Sequence, residues 1–170
     1  MDLKDKIVGM AKNAIPTPMP TQPTPETPIV GQPEMPMSVP GGSDPAMDNF
    51  KMMVSALFSS EVQVHIFHLQ TVGAGSFAAH MALNGYYTGI QDLLDGLIES
   101  YQGKYSIVTG YKSMEYKDFT SVQDLVTYFT ELDGLIEMNR SSIKESYLQN
   151  QIDTIVELIN STLYKLKNLQ

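Results

Sequence analysis

The 170-residue chain contains no cysteine and no tryptophan. Without cysteine there are no disulfides, no thiolate zinc sites and no cysteine nucleophiles. Basic residues are scarce. Eleven Lys and Arg stand against 19 Asp and Glu, a formal net charge of −8. A surface this acidic argues against a protein that grips nucleic acid through its phosphates. No stretch reaches the ~20 apolar residues of a membrane span. The three histidines lie in no nucleophile-elbow context, so a Ser-His-Asp arrangement is not expected. Proline is absent from residues 46–170, because all ten lie between Pro16 and Pro45. The length suits one domain of ordinary size, so the two compositions divide one chain into an arm and a folded part.

Residues 16–45 read as a Pro-rich linker of polyproline II character, since each Pro removes a backbone donor and biases its predecessor away from the α region. At about 3.1 Å per residue it could reach on the order of 90 Å. The two readings of it are a disordered tail and a tether that lies along a protein partner. Residues 1–15 differ, with Leu3, Ile7, Met10 or Ala11 and Ile15 at helical spacing. A helix this short is marginal alone, so the reading is a short amphipathic docking helix. Asp2 and Asp5 break the n-region that a signal peptide would need.

The proline-free part reads as four long helices. Asp44 and Pro45 look like an N-cap and first helical residue, opening a helix over 46–70 with Phe50, Val54, Leu57, Val64 and His68 on one side. TVGAGS at 71–76 reads as a turn, since no strand precedes its glycines to make a phosphate loop. The second helix is expected over 77–102, with Ser76 as N-cap and Gly103 as stop. A longer connection over 104–120 has room for a short helix. The third and fourth helices are expected over 121–142 and 146–169, the fourth carrying Leu148, Ile152, Ile155, Ile159, Leu163, Leu166 and Leu169 as its stripe. The expected fold class is all-α: a four-helix bundle of the ferritin-like variety with one long crossover, behind a Pro-rich N-terminal extension. Met47, Met52 and Met53 fit core or docking surface.

The second helix has an unusual polar stripe. His80, Asn84, Thr88, Gln91 or Asp92, Asp95 and Glu99 recur every three or four residues. The plain alternative is a solvated face. His68 adds a second imidazole across the glycine turn. From His80 to Glu99 is about 28 Å along a helix, so one chain cannot bring both ends to one ion. Two chains can. If the second helices of two subunits pair antiparallel about a two-fold axis near residues 88–91, His80 of one meets Asp95 and Glu99 of the other, twice per dimer. Imidazole with carboxylate suits iron, zinc or manganese. His65 is a further candidate ligand, though a partly exposed or hydrogen-bonded helix residue is the more ordinary reading. A metal inside the bundle would want Glu-x-x-His, and Glu61 to His65 is one residue too long.

These residues resemble the ferroxidase motif of Dps-type miniferritins. His68-x11-His80-x3-Asn84-x10-Asp95-x3-Glu99 has the spacing of the family's His, His, Asp, Asp, Glu, and Gly73 and Phe77 fit its segment between the first two helices. The resemblance spans roughly residues 50–169 and is dense over 65–103. It implies a ferritin-like fold with a short helix in the second connection. It implies an inter-subunit iron site with His68, His80 and position 84 from one chain and Asp95 and Glu99 from its two-fold mate. It also implies Fe(II) oxidation by oxygen or peroxide, with mineral stored in a dodecameric shell. The departures are specific. Asn84 stands where the family has Asp and should weaken a second iron. Leu69 replaces a usual Trp, so any electron-donating ring would be Tyr86, Tyr87 or Tyr101. The lysine-rich DNA-binding tail is replaced by the proline arm, and the DNA role is not carried over.

The first expectation is therefore a Dps-like ferroxidase and iron-storage protein, His68 and His80 ligating as neutral imidazoles and Glu99 acting at the reacting iron. The alternative is a structural or cargo component of a larger assembly such as a virion, a divergent virus-encoded member docking through its arm. A third reading is a zinc or manganese ion that only staples a homodimer. The expected location is the cytoplasm, or a virion or protein shell.

Overall fold

A computed structural model describes residues 44–169. The expected docking helix at 1–15 and nearly all of the proline linker lie outside the described residues. Those described form four α-helices and no strand: α1 Pro45–Gln70, α2 Phe77–Lys104, α3 Val122–Arg140 and α4 Ser146–Asn168. None of the four is long and apolar enough to cross a membrane.

The helix starts follow from local chemistry. The Asp44 carboxylate accepts from Ala46 N–H at 3.0 Å, with Pro45 in the first turn where its missing donor costs nothing. Ser121 and Asp124 make a reciprocal capping box, Ser121 Oγ accepting from Asp124 N–H and the Asp124 carboxylate accepting from Ser121 N–H at 3.0 Å. These bonds, with two more from Thr120, hold the Asp124 carboxyl below its ordinary pKa. Ser76 stands at the N-cap position of α2 as expected, but its side chain makes no cap bond. Its hydroxyl instead donates to Gly73 C=O at 2.7 Å inside the turn. Gly73 and Gly75 both have positive φ, 100° and 79°, which only glycine adopts without strain. Gly103 does not stop α2, which continues to Lys104.

The apolar stripes meet in one core. Phe50, Val54, Leu57 and Val64 of α1 and Leu148, Ile152, Ile155, Ile159 and Leu166 of α4 are buried as the spacing implies, whereas Leu169 falls just past α4 and is exposed. Each such side chain contributes about 1.5–3 kcal/mol on burial. Met53 is in the core, Met47 packs against it and Met52 faces out. The core holds one polar contact of note. Ser60 Oγ donates to Leu57 C=O at 2.7 Å and stands 2.7 Å from Tyr86 Oη. The serine's single proton is thereby used, so the tyrosine is the donor. Burial pushes the Tyr86 phenol far above its ordinary range and keeps it protonated.

Ring contacts fix the helix directions. Phe50 stacks on Tyr101 at 3.6 Å, and the His68 and His80 rings meet at 3.7 Å with planes 30° apart, so α1 and α2 are antiparallel. Gln70 donates to Asp118 and Phe67 meets Phe119 edge-on, so α3 starts beside the end of α1 and runs parallel to α2. Arg140 reaches Gln149 and Asp153, which closes α3 and α4 as an antiparallel pair. α1 and α4 each pack on α2 and α3. The connection from α2 to α3 must therefore travel the length of the bundle.

That crossover is extended, and the short helix implied for it is absent. The reason is reach. α1 is about 39 Å long, and the 17 residues between α2 and α3 would reach only about 26 Å as a helix, so most of the crossover has to be extended. α1 side chains take up its backbone groups. Lys112 N–H donates to Ser55 Oγ at 3.0 Å. The Gln63 amide donates to Lys117 C=O and accepts from Lys117 N–H, both at 2.7 Å.

Replacing Gln63 by Ala should cost about 1–3 kcal/mol in urea unfolding and raise hydrogen exchange at the Lys117 amide while the helices stay protected. The depressed Asp124 pKa gives stability that is present above the ordinary carboxylate pKa and lost as pH falls through the lower folded value. Asp124→Asn should therefore flatten the acid side of a urea-midpoint profile below about pH 4.

Candidate metal centre

All three histidines of the chain gather at the α1–α2 turn. The turn brings the last helical turn of α1 beside the first of α2, and both His68 and His80 are half-buried there. Their hydrogen bonds are reciprocal. His68 Nδ1 lies 3.1 Å from His80 C=O, and His80 Nδ1 lies 3.2 Å from His68 C=O. A carbonyl only accepts, so each Nδ1 carries the proton. Each neutral ring then keeps its Nε2 lone pair, the state in which imidazole ligates a metal. Backbone carbonyls are common outer partners of ligating histidines, because they fix the tautomer and the ring plane.

His65 is exposed and lies flat on Tyr87, with ring centroids 4.3 Å apart and planes 13° apart. Tyr87 also meets the edge of His68 at 5.3 Å. Its hydroxyl donates to Asn84 Oδ1 at 3.0 Å. Of the three tyrosines considered as ring donors, Tyr87 alone has ring contacts with the site histidines. Tyr86 is tied to Ser60 in the core, and Tyr101 is stacked on Phe50 at the other end. The role of Tyr87 was legible in part, since Asn84 and Tyr87 are one helical turn apart. Its stack on His65 joins two helices and had no sequence signal.

Asp95 and Glu99 lie on α2 with their side chains exposed. Neither has a hydrogen bond or ion pair among the described residues. They are about 22–28 Å along the helix from His80. One chain therefore brings His68, His80 and Asn84 together and leaves Asp95 and Glu99 apart. Among the described residues, no three His, Asp or Glu side chains come together to hold a metal. The histidine side presents two imidazole Nε2 atoms with no partner among the described residues, and it carries no carboxylate.

The outer side of this helix pair is apolar as well as polar. Phe58, Val62, His65 and Leu69 form an exposed row along α1, and Phe77 and Met81 an exposed pair on α2. Leu69 is 68% exposed and Phe77 75%.

At pH 7.5, long-range nitrogen–proton NMR spectra should report the Nδ1–H tautomer for both His68 and His80. An Nε2–H signal from either ring would contradict the reciprocal carbonyl bonds.

No curated protein and no solved structure matches this chain. The model of a family of unknown function, DUF5856, matches residues 68–166, from the first site histidine to the end of the α4 stripe. The match covers more than half of the sequence, and the chain belongs to this family of unknown function.

Proposed function

We propose that this protein is a Dps-like iron-binding protein whose ferroxidase-type site is completed between two copies of the chain. One observation carries the reading. His68 and His80 are locked by each other's carbonyls with both Nε2 atoms free, while the carboxylates of matching spacing, Asp95 and Glu99, stand unpartnered further along the same helix. Antiparallel pairing of α2 about a two-fold axis supplies the missing charge to each histidine pair. The single crossover, with α2 and α3 parallel, is the connectivity of ferritin-like bundles and supports the same reading.

In this reading Fe(II) is the substrate. His68 and His80 hold it through neutral nitrogen, and Asp95 and Glu99 of the partner subunit offset its charge. Each Fe(II) gives up one electron to oxygen or peroxide, and the harder Fe(III) favours the carboxylate oxygens. The two-fold dimers would assemble into a shell, a dodecamer if the family likeness extends that far. Zinc or manganese at the same ligands would give a staple without redox chemistry.

The exposed apolar row on α1 and the charge lost at Asn84 favour a second reading, a structural component of a larger assembly on the same fold. The two separate in one experiment. Fe(II) added to the metal-free full chain in air, or with peroxide, should produce ferric absorbance. Glu99→Ala and His80→Ala should each slow it by about 100-fold. An unchanged rate in Glu99→Ala rejects the ferroxidase reading. A wild-type chain that neither binds nor oxidises iron is the result the structural reading expects.

A further inference from the structure

The outward face of α2 is divided in two. From Phe77 to Thr88 it has no charged carboxylate or ammonium and carries His80 and Asn84. From Gln91 to Glu99 it carries Asp92, Asp95 and Glu99, all exposed and without a hydrogen bond or ion pair among the described residues. Parallel self-pairing would set three carboxylates against three. Antiparallel self-pairing sets each acidic half against the acid-free half that bears the donors. The face is therefore complementary to itself in one sense only, and a second copy is the occupant it fits. With the axis between Thr88 and Gln91, His80 stands opposite Glu99 of the partner subunit, and Asn84 opposite Asp95 of the partner subunit.

Asn84 is already committed. Its Oδ1 accepts the Tyr87 hydroxyl proton at 3.0 Å, and Tyr87 is steadied by its stack on His65 at 4.3 Å. The Nδ2 of the amide has two protons and no partner among the described residues, so it can donate to a carboxylate, while Oδ1 keeps one lone pair but no charge to offer a metal. We propose that Asn84, oriented by Tyr87, donates a hydrogen bond to Asp95 of the partner subunit, so that the two-fold pair closes without metal and each site is left with room for one ion. An aspartate at position 84 would put two carboxylates face to face, twice per dimer, and would need cations between them. The inference rests on the two-fold pairing of α2, but not on the binding of any metal.

The test is a charge-swap cycle on the full chain. Sedimentation of wild type, Asn84→Asp, Asp95→Asn and the double variant is followed over a dilution series in EDTA. Wild type should remain dimeric. Asn84→Asp should weaken the dimer by about tenfold or more through like-charge contact. The double variant, which restores one amide and one carboxylate at each contact, should return to within a few-fold of wild type and so serves as its own folding control. A wild-type monomer in EDTA, an undisturbed Asn84→Asp dimer, or a double variant as weak as Asn84→Asp would each overturn the proposal. Cobalt(II) titration separates it from the metal reading. One ion per wild-type subunit and two in Asn84→Asp support the single-ion site, and two in wild type overturn it. If the cycle holds and no cobalt binds, the amide pairing stands and the iron reading falls. A wild-type monomer that cobalt brings together has the opposite meaning.

Discussion

The extended crossover between α2 and α3 constrains the rest of the molecule. It must return the full length of the bundle, and it does so along α1, where Ser55 and Gln63 receive its backbone groups. Because it is held there, α3 starts beside the end of α1 and runs parallel to α2. The side of α1 that bears Ser55 and Gln63 is thereby buried. The flank where α1 meets α2 is covered only at Phe58, whose ring meets that of Tyr111 in the crossover at 5.5 Å. Val62, His65 and Leu69 and the outward stripe of α2 stay exposed.

On that flank the His68 and His80 imidazoles are each held by the other's backbone carbonyl. Their mutual carbonyl bonds do in one chain what outer partners usually do at metal sites, since they select a tautomer and hold a plane. The carboxylates do not share this order. They are exposed, unpartnered side chains on one helical track, and their use depends on a surface that brings them to the histidines. In the proposed reading the chemistry of the site is divided between a preformed half, the two imidazoles, and carboxylates that a second copy would supply.

Asn84 and Tyr87 sit where these halves would join. A carboxylate at 84 would make pairing depend on a cation. Under the proposed pairing, an amide held by a tyrosine hydroxyl would remove that dependence, because an N–H donor and a carboxylate are attractive without help. Stability of the pair and binding of metal would then be separate properties, whereas two facing carboxylates would link them.

Much of this is legible in the amino-acid sequence. Helical periodicity locates four helices to within two residues at most ends, and Asp44-Pro45 and Ser121 mark two starts through their capping chemistry. Spacing places His80, Asn84, Asp95 and Glu99 on one face of α2, because a helix converts intervals of three and four into a track. Local rules place Ser76 at the N-cap of α2 but not its hydroxyl, which turns to Gly73, and they misjudge Gly103, which α2 absorbs. The crossover is beyond them as well, since its extension is set by the distance between helix ends and not by its own residues. Only tertiary structure decides that His68 and His80 bond to each other's backbones, that His65 stacks on Tyr87, and that most of the α1–α2 flank stays uncovered. These depend on the approach of two helices across a glycine turn, a distance that no interval along the chain encodes.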